Sequence, residues 1–220
     1  MTKTRADKIL TILKNTFPMP AWTSSTRDPF QTLIATIISQ NTTGKNAEVA
    51  FQKLSENFRI TPETLANADK KEIQRSLKIA GLYRNKAATI KKVSEIVLRE
   101  CHGSLAFIHS LPLEDARKAL MSLPGVGPKT ADVVLLFSAK KSTIPVDTHV
   151  NRVSKRLRLA PEAGSYEEVR ASLQSSFAAE NYLPVHVLLI ALGRRYCRAL
   201  KPLCRECPVN ELCPSRLIED

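Results

Sequence analysis

Four of the five cysteines fall in the C-terminal tail, as Cys197, Cys204, Cys207 and Cys213 in the spacing C-x6-C-x2-C-x5-C. Four thiols within 17 residues suit one shared centre far better than separate disulfides. The N-terminal stretch carries Lys3, Arg5, Asp7, Lys8 and Lys14 and lacks the unbroken apolar run of a secretory signal. A reducing compartment, and a metal or iron-sulfur centre rather than disulfides, is therefore expected. Four thiolates by themselves leave zinc and a 4Fe-4S cluster both open. Arg198, Lys201 and Arg205 lie between the ligands and would ring the centre with positive charge. Cys101 stands far from the group and reads as a buried or idle thiol.

The rest of the chain reads as helical. Only 7 Gly in 220 residues leave too few turns for a many-stranded sandwich or barrel, and alternating strand patterns are essentially absent. Asp28-Pro29-Phe30-Gln31 has a cap, a first-turn proline and the partner of a capping box, and Leu33, Ile34, Ile37 and Ile38 follow at helical spacing. That helix ends near Ser39 to Gly44. Further starts appear at Thr61-Pro62-Glu63 and at Asp69 to Glu72, the latter a capping box that opens a helix closed by Gly81. Lys86 to Glu100 and Leu113 to Leu123 each carry one apolar face. Thr143 to Val146 is a short β-like run, followed by a helix with Val150, Val153 and Leu157 inward and Arg152, Lys155, Arg156 and Arg158 outward. A last helix covers Val185 to Leu192. No apolar run approaches the roughly 18 residues that cross a bilayer, so a soluble cytoplasmic protein is expected.

Two helices flank the turn Pro124-Gly125-Val126-Gly127-Pro128-Lys129-Thr130. Gly125 and Gly127 can take angles closed to other residues and let the turn approach a ligand, and the next helix adds partial positive charge. Such a turn can hold a phosphate of a nucleic-acid backbone without reading a base. An ordinary tight helix connection is the alternative, and the formal net charge of +12 favours the phosphate clamp. Lys129, in the first turn of its helix, meets an unfavourable dipole that would depress its pKa and make it a nucleophile able to form a Schiff base. Its other reading is a phosphate contact. Asp147, just before a helix, reads as an N-cap or as a carboxylate that assists Lys129.

The strings Leu123 to Ala131 (LPGVGPKTA) and Val146 to Val150 (VDTHV), with Asp147 eighteen positions after Lys129, and then the four cysteines, resemble the endonuclease III family of helix-hairpin-helix DNA glycosylases. Leu33 to Ser39 (LIATIIS) and Gly81 to Ala87 (GLYRNKA) extend the resemblance over nearly the whole chain. It implies an all-α protein of two domains: a six-helix domain over 22–134 carrying the hairpin, and a cluster domain from 1–21 plus 135–220, with the active site in the cleft between them. It implies a 4Fe-4S cofactor on Cys197, Cys204, Cys207 and Cys213. Double-stranded DNA with a flipped damaged base or an abasic site is the implied partner, met by a monomer.

On the same resemblance, Lys129 attacks C1′ of a damaged nucleotide, Asp147 is the essential carboxylate, and β-elimination cuts the strand 3′ to the lesion. Leu82 is the residue wedged into the stack, and Gln40 or Asn41 fills the gap left by the flipped base. Gly125, Val126 and Gly127, with Arg198, Lys201 and Arg205, are the expected backbone contacts. Lys129 argues against the adenine-specific and thymine-mismatch relatives, which usually carry another residue there. Gly44 stands where many close relatives have an acidic residue near the base pocket. His149 and His186 read as core residues, and Tyr83 as packing. The function expected is removal of damaged, oxidised pyrimidines from duplex DNA with AP lyase activity. A monofunctional or mismatch-directed glycosylase is the alternative, and a non-catalytic DNA-binding protein is the third reading.

Overall fold

The computed structural model describes residues 4–23 and 28–216, with the side chain of Trp22 left aside. Lys3 of the N-terminal charges, and the ends 1 and 220 of the expected second domain, lie outside them. Among the described residues there are α-helices and short 3-10 turns and no strand. The helices are α1 Arg5–Thr16, α2 Pro29–Ser39, α3 Gly44–Asn57, α4 Pro62–Asn67, α5 Lys70–Leu77, α6 Tyr83–Glu100, α7 Phe107–Ser110, α8 Leu113–Met121, α9 Pro128–Ala139, α10 Thr148–Arg156, α11 Tyr166–Ser176 and α12 Tyr182–Arg195. They fall into two compact units, one within Thr26–Lys141 and one within Met1–Ser25 with Ser142–Asp220. The helix α9 belongs whole to the first, whereas the sequence reading drew its line inside it, at 134.

In the unit within Thr26–Lys141, α2 is the central rod. Leu33, Ile34, Ile37 and Ile38 are at most 1% exposed, so the helix is apolar nearly all round and must be covered on every side. It packs against α3, α6 and α9, while α4 and α5 lie on α6. Its start follows from Asp28, whose carboxylate accepts from Gln31 N at 2.9 Å, with Pro29 in the first turn. Asp69 caps α5 by accepting from Lys71 N and Glu72 N, and Thr61 caps α4. The helix α3 was absent from the sequence reading because Thr43-Gly44 looks like a break. Instead Thr43 caps it, accepting from Asn46 N at 3.2 Å.

In the other unit α12 packs against α1 and α10, and α11 against α10. The β-like run Thr143 to Val146 is buried but extended without a ladder, because no neighbouring strand exists to pair with it. His186 Nδ1 donates to Pro145 O at 2.8 Å and Tyr166 Oη accepts from Val146 N at 3.4 Å, so side chains supply part of what a sheet would. No single helix among the described residues is long and apolar enough to cross a membrane.

Candidate functional site

The hairpin is α8, the turn 122–127 and α9. Gly125 has φ +74, and a Cβ there would stand 2.7 Å from Thr89 Cγ2 of α6, so both conformation and packing demand glycine. Gly127 is different. Its φ of −94 and ψ of 179 suit any residue, and a Cβ would meet nothing within 4 Å. The sequence reading had assigned both glycines unusual angles, and only Gly125 has them. Val126, expected among the DNA contacts, buries its side chain at 6% exposure and spends its N–H on Leu123 O at 3.2 Å. What the turn can offer an anion therefore lies at Gly127 and the start of α9, where no side chain caps the helix.

Lys129 is the second residue of α9 and is half-buried. Its hairpin is braced from within. Arg117 Nε of α8 donates to Asp132 Oδ1 of α9 at 3.1 Å, a pair 9% and 0% exposed by side chain, and neither partner was singled out in the sequence. Gln40, which ends α2, donates from Nε2 to Gly125 O at 3.0 Å and to Thr130 Oγ1 at 3.3 Å. Its amide is thus committed to the hairpin. Asn41 beside it is exposed, with φ +52. Leu82 is 57% exposed and left-handed, with φ 45 and ψ 28. Tyr83 packs against the apolar core of this unit, as the sequence suggested.

In the other unit Asp147 caps α10, its Oδ1 accepting from Val150 N at 2.7 Å. Its Oδ2 makes no hydrogen bond among the described residues. The four tail cysteines line one cavity of about 330 Å³ together with Val153, Leu157 and Leu192. Burial, and then the neighbouring thiols, push Cys207 up to about 11, and Cys213 is raised for the same reasons. No three described His, Cys, Asp or Glu side chains draw up around one ion position. Arg198, Lys201 and Arg205 are exposed on this tail, Lys201 with φ +49, and Leu200 beside them is 84% exposed. Cys101 is half-buried in the other unit, packed against its core.

The arginines of α10 correct a second expectation. Arg152 and Arg156 are half-buried rather than outward and solvated. Arg152 donates to Cys197 O at 2.9 Å and Gly193 O at 3.0 Å, and Arg156 to Arg198 O at 2.6 Å, Ala199 O at 3.1 Å and Cys197 Sγ at 3.5 Å. Arg5 of α1 donates to Leu212 O at 2.8 Å and Leu157 O at 2.7 Å. Guanidinium groups thus hold the carbonyls of a tail that has little regular structure of its own. A basic helix face is the only sequence signal for this, and it reads equally as a solvated surface.

Residues 34–179 match the model of the HhH-GPD superfamily base excision DNA repair proteins. The endonuclease III of Sulfolobus acidocaldarius is 38% identical over 86% of this chain and 82% of that protein. Two solved structures, a non-covalent endonuclease III-DNA complex and a trapped endonuclease III-DNA covalent intermediate, superpose with TM-scores of 0.83 and 0.82. Each is 33% identical to this chain, over 97% of both chains. With a family model that spans most of its length and relatives matched nearly end to end, this chain is a base excision DNA repair enzyme belonging to the HhH-GPD superfamily and, within it, to the endonuclease III family.

Proposed function

We propose that the chain is a DNA glycosylase with AP lyase activity that acts as a monomer inside the cell on oxidised pyrimidines in duplex DNA. The observation that carries the reading is Lys129 at the head of α9, two positions after a glycine that neither conformation nor packing requires. A position kept bare where nothing inside the protein needs the space leaves room for a backbone phosphate against the helix N-terminus. With a phosphate held there, the amine of Lys129 would lie toward the sugar of the same nucleotide. A neighbour in structure, at 33% identity, is an endonuclease III trapped covalently on DNA.

The Lys129 Nζ lone pair bonds to C1′ as the glycosidic bond breaks and its electron pair leaves with the base, which takes a proton. The nitrogen, left with one proton, then shares its lone pair with C1′ as the C1′–O4′ bond breaks and O4′ takes a proton, which opens the ring to an iminium. Removal of a C2′ proton and departure of the 3′ phosphate then cut the strand. Asp147 supplies the carboxylate that stabilises the developing positive charge or receives the amine's proton; its Oδ1 is fixed by the cap and Oδ2 remains for this work. Leu82 wedges the stack. Asn41, exposed and left-handed, fills the gap, because the Gln40 amide is occupied. Arg198, Lys201 and Arg205 meet phosphates.

Cys197, Cys204, Cys207 and Cys213 fit a 4Fe-4S cluster: four soft donors spread around one largely apolar cavity suit one thiolate per iron. When bound, the cluster supplies four Fe–S bonds that fold the tail and orient its cations; glycosyl transfer and β-elimination exchange no electrons. Borohydride reduction on duplex DNA bearing thymine glycol or an abasic site tests the central step. A covalent adduct through Lys129, lost in Lys129→Ala together with at least about 10³-fold of strand cleavage, is expected. Base release with no adduct would replace the reading with a monofunctional glycosylase.

A further inference from the structure

Lys86 is 5% exposed in a protein where most lysines reach solvent. Lysine is almost never fully buried unless paired, and among the described residues no carboxylate is set against it. Its ammonium donates to Ala80 O at 2.8 Å, and burial pushes its pKa down. A methionine would fill the same space with no charge to desolvate, so the charge has a use. The partner shows what it is. Ala80 ends the 3-10 turn Lys78–Ala80, and the next two residues are Gly81 with φ +64 and Leu82 with φ +45. The backbone N–H of the same Lys86 donates to Leu82 O at 3.0 Å. One residue therefore holds the carbonyl before the two left-handed residues and the carbonyl at their end. Leu82 projects from that bracket, 57% exposed, with Ile79 at 42% on the other side.

We propose that Lys86 is a positioning residue for the wedge: its side chain on Ala80 O and its amide on Leu82 O lock the left-handed Gly81-Leu82 turn so that Leu82 enters the DNA stack without first being ordered. The proposal rests on Leu82 acting as the wedge. A side chain pushed between stacked bases transmits force only if its backbone does not yield, and a left-handed leucine relaxes unless its surroundings fix it. The contact is charge-assisted, stronger than a neutral side-chain amide would give, and it sits where water has little access.

The test compares two substrates and a mutant cycle, using the protein as isolated. One substrate is a duplex with a single thymine glycol. The other carries its abasic site opposite a one-nucleotide gap, where no partner base remains to be displaced. Lys86→Met is expected to slow the first by about tenfold and to leave the second unchanged, because the lost bond serves the wedge alone. In a Leu82→Ala background Lys86→Met should add nothing further, as is required if one acts through the other. Lys86→Arg should restore part of the duplex rate. If Lys86→Met does not fold by circular dichroism, Lys86→Gln carries the comparison with a smaller loss on the duplex, because its amide can donate to Ala80 O without the charge. Equal losses on both substrates, or full additivity with Leu82→Ala, would overturn the proposal. An unchanged duplex rate for Leu82→Ala alone would instead remove the wedge reading on which it rests.

Discussion

The helices α9 and α10 begin in opposite ways. At α9 the cap position is Gly127, which has no side chain to cap the helix, and Lys129 brings a cation where the dipole disfavours one. At α10 the cap is Asp147 itself, with Oδ1 on Val150 N at 2.7 Å and a carboxylate where the dipole favours an anion. The first start is left open for something from outside, and the second is complete within the protein. On the proposed reading a helix N-terminus serves two purposes in one chain: it would receive a phosphate at α9, and it fixes the direction of the Asp147 carboxylate at α10.

The largest effect that could break this contrast is at Asp147. Asparagine caps as well as aspartate, so Asp147→Asn keeps the hydrogen bond to Val150 N and removes only the charge. A loss of about 10²- to 10⁴-fold in base release, at unchanged melting temperature, is expected. Asp147→Ala should lose the same activity and about 1 kcal/mol of stability in addition. If Asp147→Asn keeps full activity, the residue is a cap and nothing more.

The two glycines sharpen the comparison at α9 with a smaller effect. Gly125→Ala places a methyl 2.7 Å from Thr89 Cγ2 at a φ of +74, and should cost more than ~1 kcal/mol in denaturant unfolding. Gly127→Ala meets nothing and needs no unusual angle, so its stability should hold or rise by roughly 0.4–1 kcal/mol. Its binding to undamaged duplex should nevertheless weaken, because the methyl occupies the space assigned to a phosphate. Equal DNA affinity in Gly127→Ala would mean that the open helix start receives no backbone oxygen.

This difference between neighbouring glycines marks where sequence reasoning stops. The motif declares that the turn needs glycine, while Thr89, which makes Gly125 obligatory, lies 36 positions away with no local sign of its role. Caps at Asp28, Thr61, Asp69 and Asp147 were legible because cap and amide lie within three residues. The boxes at Thr4 with Asp7 and Ser165 with Glu168 carry the same local signature and went unread, and with the second of them the helix α11. The four cysteines were legible as one group from spacing. The contacts that fix their loop were not, since Arg5, Arg152 and Arg156 reach backbone carbonyls 41 to 207 positions distant. A carbonyl has no residue identity, so no pattern of side chains announces it. Lys86 was hidden for the same reason: within an amphipathic helix, a buried lysine on a carbonyl looks like any surface lysine.

The smallest expected effect lies next to Asp147. His149 Nδ1 stands 3.0 Å from Arg152 Nη2, and since a guanidinium only donates, Nδ1 accepts and the neutral ring keeps its proton on Nε2. Burial first, then Arg152 and Arg194, hold the His149 pKa below its usual value, against the opposing pull of Asp147. The unfolded chain takes up this proton near pH 6.5, while the folded protein does so only at lower pH. Between those values the unfolded state binds more protons, so the contribution is whole above about 6.5 and falls away as pH drops toward the folded pKa. The Arg152 that His149 anchors also holds Cys197 O, so the loss should register in the tail. Melting followed between pH 7.5 and 5 should fall more steeply in the native chain than in His149→Gln, whose amide oxygen can accept from Arg152 without titrating. Parallel curves would show that acid acts elsewhere, and that the capped start of α10 holds its geometry whatever the charge on its neighbour.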